Sequence, residues 1–291
     1  MFDFESYTKA ESVSHAIRLL QENPQARLIA GGTDVLIDLH EGKEEFRHLV
    51  DIHDVSDLNR ITLTDAGDLF IGSGTTFTAL AESSVISERV PMLSEMVLTF
   101  AGPQLRNMAT IGGNICSGMT SADSAPPLFT LNAVLTLEGA DGQRTIPIED
   151  FYKGPGKVNI ESHEVLTTIT ISRDNYEGLH GYYYKYAMRD AMDIATIGCA
   201  ALCKVDDGVL KDLRIAYGVA GPVPVRCKKG EAYGRGKKIT KSLLMEIAEV
   251  VPEDLNPRSS WRASKEFRLH IIKTLASRVI ERAIIKAGGK I

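Results

Sequence analysis

The sequence has little of what marks membrane, secreted or nucleic-acid-binding proteins. It contains one tryptophan in 291 residues, and aromatic residues make up 7% of the chain. No stretch approaches the roughly 18 consecutive apolar residues of a membrane span, and no block of like charge accompanies the formal net charge of −5. The acidic opening Met1-Phe2-Asp3-Phe4-Glu5 lacks the basic start of a secretory signal. These absences predict a cytoplasmic protein that binds neither membrane nor nucleic acid.

Cysteine is also scarce, and its spacing argues against the common cysteine-based sites. Cys116, Cys199, Cys203 and Cys227 form no CxxC pair and no zinc-type ladder with histidine. Cys199 and Cys203 lie in the apolar run 197–203, where buried structural thiols are the ordinary expectation. The sequence therefore predicts no metal site.

What is present is the composition of a globular protein, 44% hydrophobic and 24% charged, long enough for more than one core. Helix and strand patterns fill the first part of the chain, and turns at 65–68 and 140–142 indicate hairpins. Residues 101–127 have little regular periodicity. A stretch of that length without structure is usually functional.

A polar linker at 173–178 separates two regions of different pattern. Beyond it we expect three antiparallel strands, then helices that begin after Pro222 and Pro224 and include a long one over 259–286. The sequence thus predicts an α+β chain. Its predicted domains are 1–175, with lobes at about 1–57 and 58–175, and 178–291.

Two glycine pairs are the strongest candidates for a binding site. Ala30-Gly31-Gly32-Thr33-Asp34 follows a predicted strand, and Thr110-Ile111-Gly112-Gly113-Asn114 again combines adjacent glycines with polar side chains. Because glycine has no Cβ, the backbone N–H groups of such turns can approach a bulky anion such as pyrophosphate. Neither pair has the later glycines of the Walker or Rossmann patterns. Each turn alone could be structural, and together they indicate a phosphorylated cofactor.

Two further features carry charge near these loops. Asp123 follows the second loop, and carboxylates often hold ribose or ribityl hydroxyls. In the segment 184–194, Lys185 and Arg189 interrupt a strand-like pattern. Those cations suit a reduced flavin, but the spacing alone favours a surface strand with alternating charges.

In combination, these motifs resemble those of the FAD-binding medium subunits of the molybdenum hydroxylases, and especially of the bacterial heterotrimeric xanthine dehydrogenase type. The two glycine loops are similar to the FAD pyrophosphate loops of that family. The similarity runs along essentially the whole chain and includes the segments 101–109, 184–194, 215–222 and 259–270.

The resemblance implies a fold and a role. The fold is an FAD-binding domain of the vanillyl-alcohol-oxidase or PCMH type with two lobes, plus a C-terminal domain with a three-stranded antiparallel sheet and helices. The role is that of an oxidoreductase subunit without a catalytic acid–base residue of its own. Its FAD takes electrons from a two-cluster iron–sulfur small subunit and passes them to NAD or another acceptor.

Further partners and cofactors follow from the same resemblance. A molybdopterin-binding large subunit oxidises the substrate, by resemblance a purine, and the assembly is a dimer of heterotrimers. Some relatives carry a cysteine-rich insertion that holds an extra cluster, and this chain lacks it. Neither an iron–sulfur cluster nor molybdopterin is therefore expected here. Ala191-Met192 replaces the more acidic residues of eukaryotic relatives, which leaves the electron acceptor open.

The resemblance also assigns FAD contacts to individual positions. Residues 28–34 would wrap the pyrophosphate and adenosine side. The second loop and Ser117 would bond phosphate or ribityl oxygens, and Asp123 would hold a hydroxyl. Phe100, Leu166 and Lys185 would lie near the flavin ring, close to the loop 188–194. The expected contacts are Leu28, Ile29, Ala30, Gly31, Gly32, Thr33, Asp34, Phe100, Thr110, Gly112, Gly113, Asn114, Ser117, Asp123, Leu166 and Lys185. From the residues alone, Phe100 could equally be a core residue that ends a helix.

Two other functions remain open at this point. A stand-alone PCMH-type flavin oxidoreductase would need its own substrate pocket and usually a base near the flavin. An FAD-free scaffold subunit would have lost the cofactor and would only hold a complex together.

Overall fold

The computed structural model describes residues 3–291, and Met1 and Phe2, which begin the predicted first lobe and the acidic opening, lie outside the described residues. The first lobe is built on a three-stranded parallel sheet of order β1-β3-β2. Ser12 caps the first helix by accepting the His15 N–H, and the helix buries Val13, Ala16, Ile17 and Leu20. The elements are β1 (Ser6–Lys9), α1 (Val13–Glu22), β2 (Arg27–Ile29), α2 (Val35–His40) and β3 (His48–Asp51).

The second lobe is an antiparallel five-stranded sheet of order β4-β5-β10-β6-β7, and both predicted hairpins are present in it. Its strands are β4 (Ile61–Leu63), β5 (Leu69–Gly72), β6 (Val134–Gly139), β7 (Gly142–Pro147) and β10 (Val165–Ile171). The small hairpin of β8 (Tyr152–Gly154) and β9 (Lys157–Val158) follows the short helix α9 (Ile148–Phe151).

Between β5 and β6 the chain forms six short helices, so the low periodicity of 101–127 did not mean absence of structure. They are α3 (Phe77–Glu82), α4 (Ser84–Arg89), α5 (Pro91–Thr99), α6 (Pro103–Met108), α7 (Ile111–Cys116) and α8 (Ala125–Thr130). Most span six residues, which is less than two turns and too short to show a hydrophobic period.

The third sheet has four antiparallel strands of order β11-β12-β13-β14, so the expectation of three strands was wrong. The fourth strand has two residues and pairs with Ala216 and Tyr217, next to prolines that had suggested the start of a helical region. Its residue Arg226 anchors it, because the Arg226 Nε lies 2.6 Å from a carboxylate oxygen of the buried Glu231. The strands are β11 (His180–Tyr186), β12 (Ile197–Asp206), β13 (Val209–Gly218) and β14 (Val225–Arg226).

Three helices cover one face of this sheet: α10 (Lys228–Gly234), α11 (Lys241–Val250) and α12 (Lys265–Lys286). The last helix begins after Ser264, whose side chain accepts the Phe267 N–H, and not at 259 as the sequence had suggested. The other face of the sheet contributes Tyr183, Ala200, Leu202 and Ala216 to the core of the second lobe. Within 3–291, no helix is long and apolar enough to cross a membrane.

Candidate cofactor-binding site

The first predicted glycine loop packs against the backbone that leads into the second, and the second packs against Ser73. A Cβ at Gly31 would overlap the Met108 carbonyl oxygen, and one at Gly112 would lie 2.5 Å from the Ser73 Cβ. Gly32 has φ +69, in the left-handed region that favours glycine. The sequence found the loops but not this reason for their glycines, since Gly31 and Gly112 allow backbone-to-backbone packing in addition to any ligand contact.

The first loop presents unused backbone donors. Within the part of the chain that the structure describes, none of the N–H groups of residues 31–35 donates to a protein acceptor. Successive N–H groups in a turn of this kind form a concave site for an anion. The pyrophosphate of a dinucleotide has the charge and the oxygen atoms to fill it.

The second loop offers side chains instead, because its own N–H groups are already bonded. Ile111 and Gly112 donate to the carbonyls of Thr75 and Ser73 at 2.9 and 2.8 Å. Gly113 donates to the Thr110 hydroxyl oxygen at 3.1 Å. The amide oxygen of Asn114 accepts the Ser124 hydroxyl at 2.6 Å, which points its Nδ2 group away from Ser124 and leaves it able to donate to a ligand.

A cleft of about 730 Å³ runs between the two lobes and brings together all but three of the predicted contacts. Such a volume lies within the range of small-molecule and cofactor sites. The predicted residues that line it are Leu28, Ala30, Gly31, Gly32, Thr33, Asp34, Phe100, Thr110, Gly112, Gly113, Asn114, Ser117 and Leu166. Desolvation by the cleft walls raises the pKa of Asp34, and the neighbouring Asp38 carboxylate adds to the effect.

Part of the cleft lining was not predicted from the sequence. Ser73 and Gly74 form a third turn of the cleft wall, and Glu161, Ser162 and Glu164 approach from the segment before β10. The Gly72-Ser73-Gly74 pattern was a visible signal for the first of these. The second segment has no motif, and only the pairing of β10 beside β6 places it at the cleft.

Phe100 lies at one end of the cleft with its ring against another aromatic side chain. Its centroid is 4.2 Å from that of Phe77, at an interplanar angle of 20°. Arg106 donates to the Phe100 carbonyl at 2.8 Å and so fixes the backbone there. Phe100 is therefore both a cleft residue and the end of helix α5, and the two alternatives weighed from the sequence are compatible.

Three predicted contacts do not line the cleft. Ile29 is buried with Leu39 and Leu49 beneath the first loop. Asp123 and Lys185 form a buried ion pair, with the ammonium nitrogen 2.8 Å from one carboxylate oxygen and both side chains 6% exposed. Asp123 thus supports the wall of the cleft from behind.

The ion pair belongs to a small buried hydrogen-bond network that reaches Thr99, the residue before Phe100. Tyr183 donates its hydroxyl to the other Asp123 oxygen at 2.7 Å. Lys185 also donates to the Thr99 carbonyl at 3.1 Å, next to Phe100. Burial raises the pKa of Asp123, and the charge and hydrogen bond of Lys185 act in the opposite direction. The network places a compensated charge pair directly behind the Phe100 end of the cleft.

The loop 188–194 closes on itself beside this end. Asp193 accepts the N–H groups of Met188 and Arg189 at 2.9 and 3.1 Å. Its carboxylate also lies 3.5 Å from the Arg262 guanidinium. Met192 has φ +53, a conformation that is strained for a side chain of this size. The hydrogen bonds from the loop and the contact with Arg262 hold this conformation.

Acid is expected to weaken the cleft wall at Glu164. Its carboxylate accepts Arg144 Nε and Nη2 at 2.6 and 2.7 Å, and the hydrogen bond from Arg144 lowers the pKa of Glu164. Because the folded pKa lies below the unfolded one of about 4.3, the stabilisation is present above that pH and is lost as the pH falls through the folded pKa. Glu164→Gln should lower the free energy of unfolding by about 1–2 kcal/mol at pH 7, a range that allows for the partial exposure of Arg144.

Urea titrations of both proteins at pH 7 and pH 3.5 measure this effect. Between pH 7 and pH 3.5, the free energy of unfolding should fall less in Glu164→Gln than in the unsubstituted chain. In Asp65→Asn, on an exposed turn, it should fall by the same amount as in the unsubstituted chain. An acid dependence unchanged by Glu164→Gln would show that this pair does not stabilise the folded chain.

Two family models together match nearly the whole chain. One, described as the FAD binding domain in molybdopterin dehydrogenase, matches residues 2–173. The other, the CO dehydrogenase flavoprotein C-terminal domain, matches residues 182–283. The boundary between the two matches falls near the polar linker at 173–178.

Similar proteins extend over the same length. The xanthine dehydrogenase FAD-binding subunit of Escherichia coli O157:H7 is 50% identical over 291 residues, which covers 100% of both chains. The glyceraldehyde dehydrogenase medium chain of Sulfolobus acidocaldarius is 30% identical and covers 95% of this chain and 97% of its own. A carbon monoxide dehydrogenase structure from Hydrogenophaga pseudoflava superposes with TM-score 0.93 at 27% identity, over 98% of this chain and 99% of that one.

These matches confirm the resemblance that the motifs indicated. The description of the first model names FAD as the bound cofactor of that family. The chain therefore belongs to the FAD-binding medium subunits of the molybdenum hydroxylases, and is of the xanthine dehydrogenase type.

Proposed function

We propose that FAD lies extended in the cleft, with its pyrophosphate on the first glycine loop and its flavin ring at the Phe100 end. The observation that carries this is the row of unused N–H groups at residues 31–35, opposite Thr110 and Asn114. Ala30 to Asp34 would hold the pyrophosphate, and Leu28 the adenosine side. Gly112, Gly113 and Ser117 would border the phosphate or ribityl oxygens, and Leu166 the ring.

The residues behind the wall are proposed to act on the flavin without lining the cleft. Lys185 would bring its charge to the ring end through its bond to Thr99 O, while Asp123 compensates that charge. Ile29 would support the first loop from the core below. Bound FAD would supply electron transfer between an iron–sulfur partner and NAD or another acceptor, and the chain would bind and orient it.

The assembly is proposed from the family to which the chain belongs. The partners would be a molybdopterin-binding large subunit and a two-cluster iron–sulfur small subunit, in a dimer of heterotrimers. The name of the Escherichia coli relative favours a purine as the substrate of the large subunit. Cys199, Cys203 and Cys227 are buried, and burial raises the pKa of the Cys199 thiol to about 12. Buried protonated thiols are poor cluster ligands, which supports the prediction that this chain holds no iron–sulfur cluster. That it holds no molybdopterin stays a prediction.

The division of the chain is also a proposal. The three sheets support an FAD domain at 1–175 with lobes at about 1–57 and 58–175, and a further domain at 178–291. We assign the first to the PCMH type. The cytoplasmic location stays a prediction.

The test is an absorbance spectrum of the chain purified alone, before and after heat releases any chromophore. We expect a flavin spectrum, FAD in the released fraction and no broad iron–sulfur absorption. A chain that stays colourless with added FAD would overturn the proposal in favour of an FAD-free scaffold. Substrate oxidation by the chain without partners would favour a stand-alone flavin oxidoreductase.

A further inference from the structure

The only tryptophan of the chain lies on the surface. Trp261 is 80% exposed, the largest exposed fraction among the large hydrophobic side chains described. The Arg262 guanidinium lies 4.3 Å from the centre of its ring and covers one face. Tryptophan and arginine are the residue types that most often dominate the binding energy of protein interfaces.

Hydrogen bonds within the chain fix the turn that carries Trp261. Ser260 N–H donates to the Ala263 carbonyl at 2.9 Å. The Ser260 hydroxyl oxygen accepts both the Arg262 N–H at 3.3 Å and the buried Arg268 guanidinium at 2.8 Å. A preorganised side chain loses little conformational freedom on binding, so such a turn suits an anchor.

The surroundings of the turn are strongly basic in a chain of net charge −5. Residues 258–268 contain Arg258, Arg262, Lys265 and Arg268 against the single acid Glu266. Among residues 3–291, no carboxylate lies within ion-pairing distance of Arg258, Lys265 or Arg268. Arg268 is buried and Arg262 is paired with Asp193, so the exposed cations of the turn without a paired carboxylate are Arg258 and Lys265.

The turn is also connected to the flavin end of the cleft. Arg262 lies 3.5 Å from Asp193, the residue that holds the loop 188–194 together. A molecule bound at Trp261 would thus contact a surface continuous with that loop.

We propose that Trp261 and Arg262, with the exposed cations Arg258 and Lys265, are the docking point for an acidic surface on a partner subunit of the complex. The proposal rests on the proposed function, which supplies the partners. Charge complementarity selects an acidic occupant, and such complementarity sets specificity and association rate. Arg262 covers one face of the Trp261 ring, and a nucleotide stacked on the other face is the alternative that the test distinguishes.

The single tryptophan allows a direct test. The full chain, labelled with 5-fluorotryptophan, should give one fluorine resonance. We expect that resonance to shift or broaden when purified unlabelled large or small subunit is added, and to stay in place when NAD alone is added. A response to NAD and not to the subunits would overturn the proposal in favour of a nucleotide site. No response to either would overturn it as well.

A matched pair of variants measures the contribution to binding. Trp261→Ala should weaken assembly with the partner subunits about 30-fold, the ratio for a ~2 kcal/mol hot spot. Met245→Ala, at a 67% exposed position on α11, should leave assembly unchanged. Equal assembly by both variants would contradict the proposal. The FAD content of the unsubstituted chain separates the two hypotheses. If that chain assembles with its partners but holds no FAD, and Trp261→Ala still weakens assembly, the proposed function is contradicted and the docking point stands.

Discussion

Replacing Gly31 by alanine is expected to abolish FAD retention and to lower the melting temperature of the chain. The added Cβ would overlap the Met108 carbonyl oxygen, which belongs to the backbone and cannot rotate away. The first loop would have to move away from the backbone that leads into the second, and the donors of residues 31–35 would shift relative to the rest of the cleft wall. The FAD-to-protein absorbance ratio and the thermal melting curve measure both effects.

Gly154→Ala is the control for this substitution. Gly154 does not have a positive φ, and nothing lies within 4 Å of the position that its Cβ would take. We expect normal FAD content and an unchanged melting temperature. If Gly31→Ala behaved in the same way, the close packing of the first loop against the backbone that leads into the second would have no part in holding the cofactor.

Lys185→Met is expected to destabilise the folded chain by about 3–5 kcal/mol, the usual cost when one partner of a buried ion pair is removed. The Asp123 carboxylate would remain buried with only the Tyr183 hydroxyl as a donor. The double variant Lys185→Met/Asp123→Asn should recover most of the loss, because no charge is then buried. The free energy of unfolding in urea, measured for both single variants and the double, gives the coupling between the two residues.

The exposed pair of Lys229 and Glu253 provides the comparison, since surface pairs contribute about 0–1 kcal/mol. Lys229→Met should therefore change the free energy of unfolding very little. Losses at Lys185 and Asp123 that simply add in the double variant would show that the two side chains do not depend on each other.

Local patterns predicted the hairpins and both glycine loops because each depends on residues that are close in sequence. The turns at 65–68 and 140–142 carry their own signals, and a glycine pair is visible wherever it occurs. The resemblance to a family then predicted that residues far apart in the chain contact the same cofactor. All but three of the contacts it implied line one cleft.

The missed features depend on contacts that no local pattern records. The need for glycine at position 31 comes from Met108, far away in sequence. The pairing of Asp123 with Lys185 depends on how β11 packs beside the second lobe, so each looked like an independent ligand. Strand β14 has two residues, too few for any alternation, and its place is set by the buried contact of Arg226 with Glu231.

The third sheet has one further consequence. Its Tyr183, Ala200, Leu202 and Ala216 are packed within the same apolar core as the second lobe. A cut at the linker near 173–178 would leave that core open on both fragments, and each would expose surface that water disfavours. The two parts that family models match separately therefore depend on each other for stability. We expect them to fold and unfold as one cooperative unit. The linker separates the regions matched by the two family models, but we do not expect it to separate two independently stable units.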